Sequence, residues 1–318
     1  MLILNEKKIR KGKPIGLPYV GSKKKVAKKI VEIIKQNFGT DKPIYDIFCG
    51  GGAITAECIL NGLEAHYNDL NKDITDAFER VISQDRKWIK TLIVSRDEFF
   101  EIKAKENKTT DDFLKLLINS FGNNKKDYLY SKEISDLKYK LAKEIIKNHD
   151  VFSGYKQTET YKKVISELER DWFNKKQEKD KVLQQLSRLQ QLSRLQQLSR
   201  LQQLERLQQL ERLQQLERLN KVKAINKSYH DFSKVSGAIL YLDPPYEGTN
   251  QKSYINSFDS QEFYDWAFEM AKNNVILISS YEISDPRFEV VYEFKTARST
   301  FVGGNSGKKT EKLFMVKC

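Results

Sequence analysis

Residues 43–63, PIYDIFCGGGAITAECILNGL, decide the fold. PIYDIF is a short apolar run with β-branched and aromatic side chains, which reads as a buried strand. Gly50, Gly51 and Gly52 then break the chain. AITAECILNGL has a helical composition and reaches Gly62, a residue suited to the left-handed turn that stops a helix. EAHYNDL (64–70) follows as a second short strand and KDITDAFERVI (72–82) as a second helix. Strand–helix–strand–helix is the mark of an α/β, doubly wound, mostly parallel sheet.

The alternation stops near residue 96 and resumes after residue 220. GAILYLD (237–243) is a strand that runs into Pro244-Pro245, and SQEFYDWAFEMAKNN (260–274) is a helix opened by Ser260. VILISSYE, FEVVYEF and EKLFMVKC are three further strands. This predicts a split core, 1–95 and 221–318, around a mainly helical insertion at 96–220.

Within the insertion, residues 183–219 read LQQLSR three times, LQQLER three times and then Leu219. Leu recurs every third residue, without Gly or Pro. A heptad coiled coil needs a mean spacing of about 3.5. On an α-helix each Leu falls about 60° behind the last, so the stripe circles the helix. A hexapeptide β-solenoid also has this period, but Gln and Arg are poor strand formers and turn residues are lacking. The expectation is a long helix of roughly 50 Å, at about 1.5 Å per residue. Weak self-association through the Leu stripe is the alternative to a monomer.

The chain has 318 residues and a net charge of +13. Residues 1–35 hold eleven Lys/Arg against two Glu, so most of the excess lies there. A concentrated basic segment suits a polyanion such as DNA or RNA. No apolar run is long enough to span a membrane, and the start, MLILNEKKIRKGK, is no secretory signal. The three Cys form no CxxC pair and the three His no ligand spacing, so no metal is expected. A reducing, cytoplasmic setting is the default.

Asp243-Pro244-Pro245-Tyr246 follows directly on an apolar strand, and ligands of open α/β sheets sit at the carboxyl ends of strands. Group transfer to an exocyclic amine requires acceptors on its N–H groups, because the nitrogen lone pair is delocalised into the ring. Asp243 offers a side-chain acceptor and Pro244 a backbone carbonyl held by the restricted geometry around Pro245. Tyr246 offers a face on which a base stacks. The glycine turn Phe48-Cys49-Gly50-Gly51-Gly52 lets a cofactor approach the backbone. It is neither a P-loop nor GxGxxG. Asp69, 17 residues after Gly52, ends the second strand, where an acidic residue accepts from ribose hydroxyls. The alternative for Asp69 is an N-cap of the helix near Lys72.

Together these residues resemble the S-adenosylmethionine-dependent DNA adenine-N6 methyltransferases of the Dam-like class, in the phage-type branch. LPYVGSKKKVAKKI is similar to the family's amino-terminal cofactor motif, with Tyr19, Gly21 and Lys23 in its positions and Ser22 replacing a Gly. Phe48, Gly50 and Gly52 match its F-x-G-x-G loop, and Asp69 its ribose-holding acid. Tyr229, 14 residues before Asp243, stands where the family has an aromatic packing on the cofactor's adenine. Asp243, Pro244, Pro245 and Tyr246 match the catalytic DPPY, and GGNSGKKTEKLFMV (303–316) the closing segment. The resemblance implies a Rossmann-like methyltransferase fold whose insertion, 96–220, recognises the target. Asn123, Asn124, Lys125, Lys126 and Tyr128, in NSFGNNKKDYLYSKE, are candidates for contact with double-stranded DNA.

The implied reaction moves a methyl group from S-adenosylmethionine to N6 of a flipped-out adenine in a specific DNA sequence, in a bacterial or phage-encoded enzyme, orphan or paired with restriction. An RNA adenine methyltransferase shares the core chemistry. A cytosine-amine methyltransferase fits the motif order less well. A non-catalytic nucleic-acid-binding adaptor organised by the repeat conflicts with the intact Asp243, Pro244, Tyr246, Gly50 and Asp69.

Overall fold

The computed structural model describes residues 1–148, 155–178, 201–214, 216, 221–247, 258–298 and 310–317. Most of the hexapeptide repeat, at 183–200, 215 and 217–219, and the glycine-basic stretch 303–309 lie outside the described residues. The chain forms two compact units, Met1–Gln84 with Arg212–Cys318, and Asp85–Glu211.

The first unit is mixed α/β. Its strands are β1 (Ile44–Asp46), β2 (Ala65–Asn68), β3 (Ala224–Ile225), β4 (Ile239–Leu242), β5 (Val275–Ser280), β6 (Phe288–Arg298) and β7 (Thr310–Val316). They form one seven-stranded sheet in the order β3-β2-β1-β4-β5-β7-β6. The first five are parallel neighbours, and β7 runs antiparallel to β5 and β6. This mostly parallel sheet agrees with a methyltransferase fold. The edge strand β3 was not expected, because two residues carry no periodic pattern.

Both faces of the sheet are covered, which is why its strands read as apolar runs rather than as alternation. Ile239, Tyr241, Leu277 and Leu313 pack with Ile30, Val31, Ile33 and Ile34 of α1 (Ala27–Phe38) and Ile54 of α2 (Ala53–Leu60). Leu240, Leu242, Ile276, Ile278 and Phe314 pack on the other face with Phe263 and Trp266. These two belong to the helix Ser260–Met270, whose N-cap is Asp259 rather than Ser260: the Asp259 carboxylate accepts from the N–H groups of Gln261 and Glu262. Gly62 ends α2 as expected, at φ 77°.

Strand order reverses between β1 and β4. The chain steps from β1 to β2 and β3 on one side, and from β4 to β5 on the other. β1 and β4 pair directly, with Asp46 opposite Tyr241. The glycine turn after β1 and the Asp-Pro-Pro-Tyr segment after β4 therefore leave the sheet side by side, at the switch point where such sheets hold ligands.

The described part of the second unit is helical, with Arg96–Ala104, Thr110–Asn119, Lys132–Asn148 and Glu159–Glu178 as its longer segments. Residues Gln202–Gln214 of the repeat are also helix. Leu201, Leu204, Leu207 and Leu210 are all fully buried. A stripe that turns by about 60° per Leu is satisfied here by enclosure rather than by a single partner. Arg206 is buried with it and donates to the carbonyls of Ser120 (2.8 Å) and Ile118. These carbonyls lie at the carboxyl end of Thr110–Asn119, where helix acceptors lack intrahelical donors. Gln203 donates to Asn119 Oδ1 at 2.6 Å. Among the described residues no helix is long and apolar enough to cross a membrane.

Candidate active site

The glycine turn is shaped by its neighbours. Gly50 and Gly52 have φ of 51° and 75°, the left-handed region that favours glycine. A Cβ on Gly52 would lie 2.9 Å from Phe78 Cδ2 and closer still to Cε2. A Cβ on Gly50 would lie 3.0 Å from the Tyr19 ring. Leu17 N–H donates to the Gly51 carbonyl at 2.7 Å, which ties the amino-terminal segment to the turn. Gly21 has φ 77°, and a Cβ added there would meet nothing within 4 Å among the described residues.

Asp46, at the end of β1, anchors the turn from below. Its Oδ2 accepts from Cys49 Sγ, Thr55 N–H and Thr55 Oγ1 at 2.8, 3.1 and 2.9 Å, while Oδ1 is buried with no hydrogen-bond partner among the described residues. Burial pushes this carboxyl up to about 7. Asp69 closes the turn from the side. Its Oδ2 accepts from Gly50 N–H and its Oδ1 from Asn71 N–H, both at 2.8 Å. Burial raises the Asp69 pKa, against the two N–H donors. The N-cap of the following helix is Asn71, whose side chain accepts from Asp73 N–H, so Asp69 is not the cap.

Lys23 sits in a short 3-10 turn ahead of α1. Its Nζ lies 2.6 Å from Asp243 Oδ2 and 3.4 Å from Glu311 Oε1, and all three side chains are largely buried. It also lies over the Tyr246 ring, 5.1 Å from the centroid. Burial alone would weaken the Lys23 ammonium, but the charges of Asp243 and Glu311 outweigh it and hold the pKa raised. Burial pushes Asp243 up to about 6; Lys23 opposes the rise and Glu311 adds to it. Tyr246 donates to Glu311 Oε1 at 3.3 Å and packs edge-on against Tyr281. Pro244 and Pro245 are buried. The Tyr229 ring lies 6.0 Å from the Phe48 ring, in an aromatic cluster with Phe258, Phe263 and Trp266.

Residues 19–269 match the profile of the D12 class N6 adenine-specific DNA methyltransferase family. The chain belongs to this family. It is an adenine-specific DNA methyltransferase, and enzymes of this family generally use S-adenosylmethionine. Comparison with curated proteins gives no match. Of the methyltransferase residues singled out from sequence, Tyr19 packs at Gly50, Gly50 bonds Asp69, Phe48 meets Tyr229, and Lys23 meets Asp243 and Tyr246.

The loop candidates of the second unit divide. Asn124 is committed to its own turn, with Oδ1 accepting from the N–H groups of Lys126 and Asp127 and Nδ2 donating to Asp127. Asn123 and Lys125 hold left-handed backbone, φ 59° and 60°. Lys125 Nζ lies 4.2 Å from the Phe113 ring centroid, and Lys126 is exposed. Tyr128 is buried, its hydroxyl donating to the Val94 carbonyl at 2.9 Å and accepting from Gln203. Sequence order placed that ring on a loop; an apolar neighbourhood of Phe99 and Leu116 holds it in the core instead.

Sequence reasoning gave no role to Glu311, Ser279 or Asp46. The usable signal for Ser279 was its place at the carboxyl end of β5, beside β4. For Asp46 it was a carboxylate inside an otherwise apolar strand.

Proposed function

We propose that the enzyme methylates N6 of an adenine turned out of duplex DNA at a specific sequence, and that Asp243-Pro244-Pro245-Tyr246 is the methyl-transfer site. The observation that carries this reading is Asp243 itself: a largely buried carboxylate, held by Lys23, at the switch point beside the glycine turn. S-adenosylmethionine supplies a methyl group already activated on a sulfonium. The protein's task is then to position the amine and to stabilise the charge that develops on it. Asp243 accepts from one N–H of the amine and the Pro244 carbonyl from the other. Tyr246 gives the base a stacking face, which offsets part of the few kcal/mol that unstacking costs.

The residues fit the cofactor. The glycine turn presents backbone without side chains, and Gly21 faces open space. Asp69 uses one lone pair of each oxygen on Gly50 and Asn71, which leaves acceptor capacity for ribose hydroxyls. Tyr19, Lys23, Phe48 and Tyr229 complete the proposed cofactor site. The unit Asp85–Glu211 is proposed to read the target sequence, with Asn123, Lys125 and Lys126 at its loop. Asn124 shapes that loop and Tyr128 supports it from the core. The exposed Lys7, Lys8, Lys11 and Lys13 are proposed phosphate contacts.

The test first maps the methylated adenines in duplex DNA with labelled cofactor and then replaces the target adenine by 2-aminopurine. A rise in its fluorescence on binding, confined to one sequence, is the expected result. Methylation of adenines irrespective of sequence, or binding to the mapped site without a fluorescence rise, contradicts the proposal.

A further inference from the structure

Glu311 stands in β7, which pairs antiparallel with β5 in the register Ser280 to Lys312. That pairing brings its carboxylate to the end of β5 and beside the segment after β4. One oxygen, Oε1, serves three donors: Lys23 Nζ at 3.4 Å, the Tyr246 hydroxyl at 3.3 Å and Ser279 Oγ at 3.2 Å. Ser279 Oγ in turn accepts from the Tyr241 hydroxyl at 2.9 Å. Among the described residues, the cluster thus holds two largely buried carboxylates, Asp243 and Glu311, around one ammonium, that of Lys23.

Burying a second carboxylate carries a large desolvation cost, and one acid already neutralises the lysine. The arrangement makes sense if the two acids have different tasks. Asp243 has to take a hydrogen bond from an incoming amine. A carboxylate has about four lone-pair sites, and donors already seated on it compete with the amine. Glu311 supplies the other anchor. We propose that Glu311 is a positioning residue for methyl transfer: it shares the Lys23 ammonium and the Tyr246 hydroxyl with Asp243 and draws both toward its own oxygen, so that Asp243 keeps acceptor sites for the target amine. Without Glu311, Lys23 and Tyr246, which already reach Asp243, lose this competing acceptor and settle more fully on the sites that the amine needs.

This inference rests on assigning methyl transfer to Asp243. The test therefore compares the full-length wild type with Glu311→Gln, Glu311→Asp and Asp243→Asn. Steady-state kcat and KM for duplex DNA and for S-adenosylmethionine are measured across pH, with unfolding midpoints. Glu311→Gln keeps the shape and removes the charge. Its kcat is expected to fall about 100-fold, the scale of a misplacement of about 1 Å, with both KM values within about threefold of wild type. The acid limb of its pH–rate profile moves to lower pH, because the Glu311 charge that favours the protonated Asp243 is gone. Glu311→Asp recovers part of kcat. Wild-type kcat with an unshifted acid limb overturns the inference, as does a loss of kcat that follows a lowered unfolding midpoint with the acid limb unchanged. If Glu311→Gln does not fold, Glu311→Asp decides: a lowered kcat at unchanged KM supports the inference and a wild-type kcat overturns it. An active Asp243→Asn removes the underlying assignment. An inactive Asp243→Asn beside a wild-type-like Glu311→Gln removes this inference alone.

Discussion

Replacing Gly52 by Ala tests whether the glycine turn is shaped by close packing or only by backbone conformation. Two costs follow from the structure. The left-handed φ of 75° penalises any residue with a Cβ by roughly 1–2 kcal/mol. The new methyl also meets the Phe78 ring, which is fully buried and stacked on Tyr67 with centroids 4.3 Å apart. Moving such a ring costs about 1–3 kcal/mol. The sum is about 2–5 kcal/mol. The displacement also reaches the turn itself, because the Tyr67 hydroxyl donates to the Gly50 carbonyl at 2.8 Å. Gly21→Ala is the control. Its φ is 77° and a Cβ meets nothing within 4 Å among the described residues, so the backbone cost of about 1–2 kcal/mol is the one expected. Urea denaturation of both variants, with calorimetric titration of S-adenosylmethionine, measures the difference. Gly52→Ala should be the less stable by about 1–3 kcal/mol and should bind cofactor more weakly. Adding Phe78→Leu should return part of the loss, with a coupling energy of at least about 0.5 kcal/mol. Equal stabilities for the two Ala variants would refute the packing argument.

Three further outcomes follow. Because burial pushes Asp243 up to about 6 and only its ionised form offers a negative charge to the developing positive charge on the amine, the single-turnover rate should fall as pH drops through that value; Lys23→Met, which removes the cation that favours the ionised form, should move this limb to higher pH and lower the plateau. Arg206→Ala removes the guanidinium donor from the carbonyls of Ile118 and Ser120, leaving Ser120 the long Asn123 N–H bond of 3.4 Å, and should destabilise the second unit by about 1–3 kcal/mol in urea denaturation. Replacing Lys11 and Lys13 by Gln should reduce the slope of log K against log salt for duplex DNA by about 0.9 per lysine in phosphate contact, measured by fluorescence anisotropy.

How far the sequence led depended on whether a feature was local. β1, the glycine turn, β2 and β4 were legible because buried parallel strands appear as apolar runs and the breaks between them are glycine and proline. Lys23 and Asp243, 220 positions apart, were picked from separate motifs, and the structure brings them within 2.6 Å. Glu311 was visible only as part of a Thr-Glu tail. Its partners follow from the β5–β7 register, which no local pattern encodes. The two-residue β3 has too little pattern to find. Asp259 displaced Ser260 as the helix cap because a carboxylate one residue earlier reaches two N–H groups. The turning Leu stripe of Gln202–Gln214, the described helical part of the repeat, was legible from its spacing. Its enclosure was not, since that depends on which helices surround it.

Asp243→Ala tests the account most directly. Its rate of transfer of a labelled methyl group to N6 of adenine in duplex DNA is measured at saturating S-adenosylmethionine, beside its dissociation constant for that cofactor. Transfer should fall by at least about 100-fold, the scale of removing one preorganised group that stabilises developing charge, with cofactor binding largely intact. A variant that methylates at near the wild-type rate would contradict it.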